Sequence, residues 1–243
     1  MTRIPINGIN LHVEDTGSGE PIIFVHEFGG DTRSWQLQVE HFSSRYRCIT
    51  FNARGYPPSD VPEDETLYGQ QIATNDLKGV LDALDIERAF VVGLSMGAYT
   101  GLMFAMQHPE RVRSLVFTSG GSGAFPDTRQ QFLVDSTALA DKMLQAHSVD
   151  VSGISTGPSR VQLQNKNPKV WEQFAAHFSE HSAVGSAYTL RHVQAKRPSL
   201  YELTDNLRAV TRPTLLLVGD EDESCLDVNL YLKRTIPFSG LSI

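Results

Sequence analysis

The feature that most constrains this chain is a succession of short, continuous apolar runs, each separated from the next by a segment of helical periodicity. Pro21–Val25, Arg47–Asn52, Ala89–Gly93, Ser114–Thr118 and Thr214–Gly219 read as strands. Runs this short and this apolar suit parallel strands covered on both faces. Between them, Tyr68–Leu84 sets Ala73, Leu77, Val80, Leu81 and Leu84 on one helical stripe. A second helix runs from Ser95 to His108, where Pro109 makes continuation unfavourable. Strand–loop–helix alternation of this kind predicts a doubly wound, mostly parallel α/β sheet. The N-terminus reads differently: Ile4, Ile6, the turn Asn7-Gly8, then Leu11 and Val13 in alternation predict a β-hairpin.

The alternation stops from about Gly121 to Ser199. No strand is evident there, and three helical stretches are expected. The clearest is Val170–Glu180, where Trp171, Phe174, Ala175 and Phe178 share a face. An all-helical insertion between two core strands predicts a cap. The expected organisation is therefore a core over 1–121, a helical cap over 122–199 and the core resumed over 200–243. Turn chemistry inside the cap falls at Ser152-Gly153 and Thr156-Gly157-Pro158-Ser159.

Composition excludes whole classes. Twenty-one basic against 28 acidic residues leave a formal charge of −7, and no basic stripe is present. Nucleic-acid binding needs such a stripe to displace phosphate counterions, and anionic membrane surfaces need one as well. Cys48 and Cys225 form no CxxC pair and no disulfide framework. The first residues lack the apolar core of a signal peptide, and no run approaches the roughly 20 apolar residues of a membrane span. A cytoplasmic location is the expectation.

The chemistry concentrates in two loops. Gly93-Leu94-Ser95-Met96-Gly97 is a G-x-S-x-G motif that follows an apolar strand and opens a helix, which is the context the motif requires. At so tight a strand-to-helix turn the serine backbone is strained, and side chains at positions 93 and 97 would clash. The turn exposes the Ser95 hydroxyl at the carboxyl edge of the sheet, beside a helix N-terminus. Earlier, His26-Glu27-Phe28-Gly29-Gly30 leaves another strand. Acyl transfer places negative charge on a substrate oxygen, and two backbone N–H groups can meet it. Met96 and Phe28 are the candidate donors.

Two metal patterns are weighed and set aside, so neither a metal nor a cofactor is expected. His26-Glu27 does not open an HExxH site, since Gly30 stands where the second histidine belongs. His177-Phe178-Ser179-Glu180-His181 matches H-x-x-E-H, but little chain remains to supply a third ligand. It is read as a polar helix face opposite Trp171, Phe174 and Phe178.

With these motifs in place, the chain resembles the α/β-hydrolase superfamily, in its capped, esterase-like branch. The resemblance implies Ser95 as nucleophile, Phe28 and Met96 as oxyanion-hole donors, and an acid after the next core strand. The G-x-x-D pattern falls on Gly219 and Asp222, which assigns Asp222, with Asp220 as the fallback. It implies a cofactor-independent hydrolase of a small ester, thioester or lactone, working through an acyl-enzyme. A carbon–carbon bond hydrolase or perhydrolase is the alternative on the same fold. A ring-cleavage product would want cap cations, for which Arg160 and Arg191 are candidates. Epoxide hydrolases and haloalkane dehalogenases are disfavoured, because they carry aspartate at the elbow.

Three departures stand out. Glu27 replaces a common glycine; it either reaches into the site, as a candidate substrate-binding residue, or turns to solvent or an arginine. Asn52-Ala53-Arg54-Gly55-Tyr56-Pro57-Pro58-Ser59 has proline in place of a glycine, and is read as structural support. Finally, the family's catalytic histidine follows the acid, and all eight histidines lie upstream of Asp222. Three explanations are carried: a C-terminal fragment that bears the histidine and stays bound, a truncated sequence, or a base from the cap at His177, His181 or His192. The missing base also leaves open a non-catalytic hydrolase-fold protein that binds a ligand.

Overall fold

The computed structural model describes residues 2–151 and 158–243, without the side chains of residues 158–161. Eight strands form one sheet in the order β1-β2-β4-β3-β5-β6-β7-β8. They are β1 (Thr2–Ile6), β2 (Ile9–Thr16), β3 (Glu20–Val25), β4 (Tyr46–Phe51), β5 (Ala89–Leu94), β6 (Val112–Thr118), β7 (Thr214–Leu217) and β8 (Ser239–Ser242). β1 and β2 make the expected hairpin, turning at Asn7 and Gly8, both with positive φ. β2 joins β4 antiparallel, and every pairing from β4 to β8 is parallel. The α/β-hydrolase sheet anticipated from the sequence is the sheet observed.

One face of the sheet is the main core. Val91, Leu115, Phe117 and Leu216 pack there against α2 (Gln70–Ala83), α3 (Met96–Gln107), α8 (Thr204–Arg208) and α9 (Glu223–Thr235). Leu77, Val80 and Leu81 of the α2 stripe are fully buried, as the periodicity requires. The helix is shorter than the predicted Tyr68–Leu84, because Tyr68 closes a preceding 3₁₀ turn.

The opposite face corrects the expectation of strands buried on both sides. Among the described residues, α1 (Gln36–Phe42) is the helix that packs there, over Ile22, Phe24, Trp35 and Cys48. Phe90, Val92 and Leu94 pack against that cluster but stay half-buried, and beyond it Val116 and Leu217 are half-buried and Leu215 is exposed. Burial therefore alternates along β5 to β7, although the sequence there is apolar on both sides.

Between β6 and β7 the chain is helical: α4 (Pro126–Ala146), α5 (Pro158–Lys166), α6 (Pro168–Ser179), α7 (Ala183–Tyr188) and a π-helical turn over Thr189–Gln194. This is more than the three stretches anticipated. Ala140, Met143, Val149, Phe178, Ala187 and Leu190 form a second apolar cluster, separate from the sheet core. The expected turns at Ser152-Gly153 and Thr156-Gly157 lie outside the described residues. No helix among the described residues is long and apolar enough to cross a membrane.

Candidate active site

Ser95 sits between β5 and α3 with φ 52° and ψ −108°. That left-handed backbone is costly for a residue with a Cβ and persists only where surrounding structure enforces it. Enforcement comes from close approach on both sides. A Cβ at Gly93 would lie 2.4 Å from the Gly97 carbonyl oxygen, and one at Gly97 would lie 2.1 Å from that of Val25. The Ser95 N–H donates to the Thr118 carbonyl at 2.8 Å, tying the turn to β6. Met96 opens α3, where first-turn N–H groups have no acceptor within the helix.

The second loop is set by His26, which is fully buried. Its Nδ1 donates to the Glu27 carbonyl at 2.7 Å and its Nε2 accepts from the Ala53 N–H at 3.0 Å. Both bonds together require the neutral ring with its proton on Nδ1. Burial agrees, lowering the imidazole pKa to about 4. The Glu27 carbonyl and the Phe28 N–H belong to one trans peptide and point opposite ways. Anchoring that carbonyl to His26 therefore aims the Phe28 N–H away from the histidine. Gly30 N–H closes the turn onto the same carbonyl at 3.1 Å, and Gly29 supplies its positive φ of 76°.

An open cleft joins the two regions, lined by Glu27, Leu94, Ser95, Ser119, Ser122, Asp222, Ser224 and Cys225. Asp222 immediately precedes α9, is half-buried, and accepts from the Ser224 hydroxyl at 3.1 Å. Asp220 is exposed and lies outside the cleft lining. The thiol of Cys225 is pushed up to about 12 by burial and by Asp222, so it is no nucleophile at neutral pH.

Glu27 is not turned to solvent. It is buried and turned toward the cleft, where its Oε1 accepts from the Ser34 hydroxyl at 3.2 Å. Its carboxylate occupies the space a Cβ at Gly30 would need, 2.4 Å away. The nearby arginine, Arg33, pairs instead with Asp31 and Glu180. Arg54 makes a buried ion pair with Asp76 at 3.0 Å, the supporting role expected of its loop.

The candidate residues of the helical insertion fall elsewhere. Arg191 pairs with Asp141 and Glu65, and the side chain of Arg160 lies outside the described residues. His192 meets Glu65 and Lys196 at 3.0 Å each, away from the Ser95 cleft. His181 corrects the polar-helix reading: α6 ends at Ser179, and His181 is buried against Tyr56 and Phe178. Among the described residues no three His, Cys, Asp or Glu side chains cluster as metal ligands. The sequence reading also missed the turn after β6, where Ser119 has φ 45° and Ser119 and Ser122 line the cleft. The run Gly120-Gly121-Ser122-Gly123 was its available signal.

Comparison with known proteins fits this geometry. A family model described as the alpha/beta hydrolase fold matches residues 20–237. An epoxide hydrolase from Caballeronia sordidicola is 36% identical over 165 residues, covering 62% of this chain and 50% of the relative. The 2-hydroxymuconate semialdehyde hydrolase of Pseudomonas sp. strain CF600 is 30% identical over 224 residues, 89% of this chain and 75% of the relative. A solved structure of a thermophilic esterase from Thermogutta terrifontis matches with a TM-score of 0.76 at 26% identity, covering 99% of this chain and 86% of that one. The chain thus spans only half the length of the epoxide hydrolase it matches.

Proposed function

The chain belongs to the α/β hydrolase fold family, and on that premise we propose that it is a serine hydrolase of a small ester, thioester or lactone, needing no cofactor. The observation that carries this reading is Ser95, held in a left-handed turn at a helix start and sharing a cleft with Asp222. Ser95 Oγ attacks the substrate carbonyl and gives its proton to a base. The carbonyl oxygen becomes an oxyanion facing the N–H groups of Phe28 and Met96. The base returns the proton to the leaving alcohol, thiol or ring oxygen, and water then releases the acyl group from Ser95. Asp222 orients the base.

That base is a histidine on a segment that packs over the half-exposed face of β5 to β7. Supporting this, Val116, Leu215 and Leu217 leave part of an apolar face exposed that parallel sheets ordinarily cover. Glu27 contacts the substrate from the oxyanion loop. The protein acts in the cytoplasm on small molecules.

One observation favours a carbon–carbon bond hydrolase on the same serine: the semialdehyde hydrolase matches along 89% of the chain. Against an anionic ring-cleavage substrate stand Glu27 and Asp222 in the cleft, with Arg191 already paired. The epoxide hydrolase relatives do not redirect the chemistry, since Ser95 stands at the elbow.

A fluorophosphonate probe tests the proposal. The protein is expected to gain one phosphonyl group at Ser95, seen by intact mass and peptide mapping, and Ser95→Ala to lose both labelling and p-nitrophenyl ester hydrolysis. Labelling no faster than that of an unactivated serine points to a non-catalytic ligand-binding protein instead.

A further inference from the structure

Residues 178–181 of the cap meet the oxyanion loop around Gly29. Phe178, at the end of α6, lies so close that a Cβ on Gly29 would come within 2.2 Å of its ring. The same ring meets Phe28 edge-on, with centroids 6.1 Å apart. Three residues on, the His181 ring stands edge-on to Tyr56 at 5.1 Å, and Tyr56 in turn to His26 at 4.8 Å. The Gly29 backbone faces both His181 and the Tyr56 hydroxyl. Outside this packed centre, Arg33 bridges Glu180 of the cap at 2.7 Å and Asp31 of the loop. Residues 178–181 therefore grip the loop that carries Phe28 from above, while His26 grips it from below.

Within that grip His181 is the anomaly. It is 6% exposed, and its Nε2 atom is buried without a hydrogen-bond partner. A phenylalanine would fill such an aromatic niche with no unsatisfied atom, so packing alone does not account for histidine. What the imidazole offers beyond a phenyl ring is a polar edge toward the Gly29 backbone. Burial also keeps the ring on the neutral side of its ordinary range, with Asp31 and the Gly29 backbone opposing and Arg33 assisting.

We propose that His181 is a positioning residue through which the seated cap holds the Glu27–Gly30 turn in the geometry that presents the Phe28 N–H to the oxyanion. The oxyanion hole is then complete only while the cap is docked, and docking of the cap and stabilisation of the transition state become one event. The idea rests on the serine-hydrolase reading for its kinetic consequence, but its structural claim about the loop stands apart from that reading.

Both parts are tested on the protein with its histidine-bearing segment in place, using His181→Phe, which keeps the aromatic contacts, and His181→Asn, which restores a short polar edge. Hydrogen exchange of the Phe28–Gly30 amides is expected to be at least tenfold faster in His181→Phe and substantially slowed again in His181→Asn. Exchange in β3 and α3 is expected to be unchanged, which separates loop positioning from general loss of fold. Fluorophosphonate labelling of Ser95 and kcat for an ester are expected to fall at least tenfold in His181→Phe with little change in KM, because the lost contact acts on the transition state. Wild-type exchange at Phe28–Gly30 in His181→Phe overturns the inference, whatever the activity. Failure of the wild-type protein, with the histidine-bearing segment in place, to label at Ser95 overturns the serine-hydrolase reading and leaves the exchange measurement to decide the role of His181.

Discussion

The elbow at Ser95 and the turn at Glu27–Gly30 meet at one cleft, yet they are held by different kinds of constraint. The elbow is closed by backbone against backbone: Gly93 against Gly97, and Gly97 against Val25. Its shape follows from five consecutive residues and the strand beside them. The Glu27–Gly30 turn is closed by side chains, His26 just before it and Tyr56, Phe178 and His181 from distant parts of the chain. A nucleophile can be fixed locally because its demand is a strained φ and ψ at one residue. The loop opposite takes its walls from the helical insertion between β6 and β7.

Substitutions at the two glycines should expose this difference. Gly97→Ala places a methyl 2.1 Å from the Val25 carbonyl oxygen, an atom that cannot move without displacing β3. Alanine ordinarily favours a helix over glycine by about 1 kcal/mol. The clash is expected to reverse that sign and cost about 3–5 kcal/mol in urea unfolding. Equal or greater stability would mean the elbow is looser than its contacts imply.

Acid should reach the oxyanion side first. His26 is neutral when folded, with a pKa of about 4, and titrates near its ordinary 6.5 when unfolded. The unfolded chain therefore takes up a proton as pH falls through 6.5, whereas the native chain does so only near 4. The stability this lowered pKa confers is whole above pH 6.5 and is lost progressively down to about 4. By linkage the loss approaches roughly 3 kcal/mol. His26→Asn is expected to be less stable at neutral pH and to flatten this part of the profile; an unchanged slope would assign the loss to other groups.

The smallest effect is the most discriminating. Gly29→Ala combines a positive φ of 76° with the Phe178 ring, and about 2–4 kcal/mol is expected. Phe178→Ala should relieve the steric part, so that the double variant is more stable than additivity allows. The same cap substitution should leave the cost of Gly97→Ala unchanged. If both glycines couple equally to Phe178, the contrast between the two loops is lost.

Much of this molecule was legible before folding. Strand β5, the glycines around Ser95 and the helix that follows are written in consecutive residues, because a tight turn leaves few residue choices. Asp222 was legible through its spacing from Gly219, and the α2 stripe through its period. Other features were not. The π-helical turn at Thr189–Gln194 and the extra cap helices carry no marked pattern of their own. His181 looked like part of a helix surface because helical spacing ignores where the helix stops. The apolar runs of β5 to β7 were read as covered on both faces, since hydrophobicity records what a strand is suited to meet and not which element meets it.

Chain chemistry alone settled the fold class and the tight strand-to-helix turn at Ser95, for these follow from interactions among near neighbours in sequence. Tertiary structure alone decided that Gly29 lies against the Phe178 ring and that His181 faces the Glu27–Gly30 turn. Each of those depends on residues tens or more than a hundred positions apart, and only close packing brings such residues to one place.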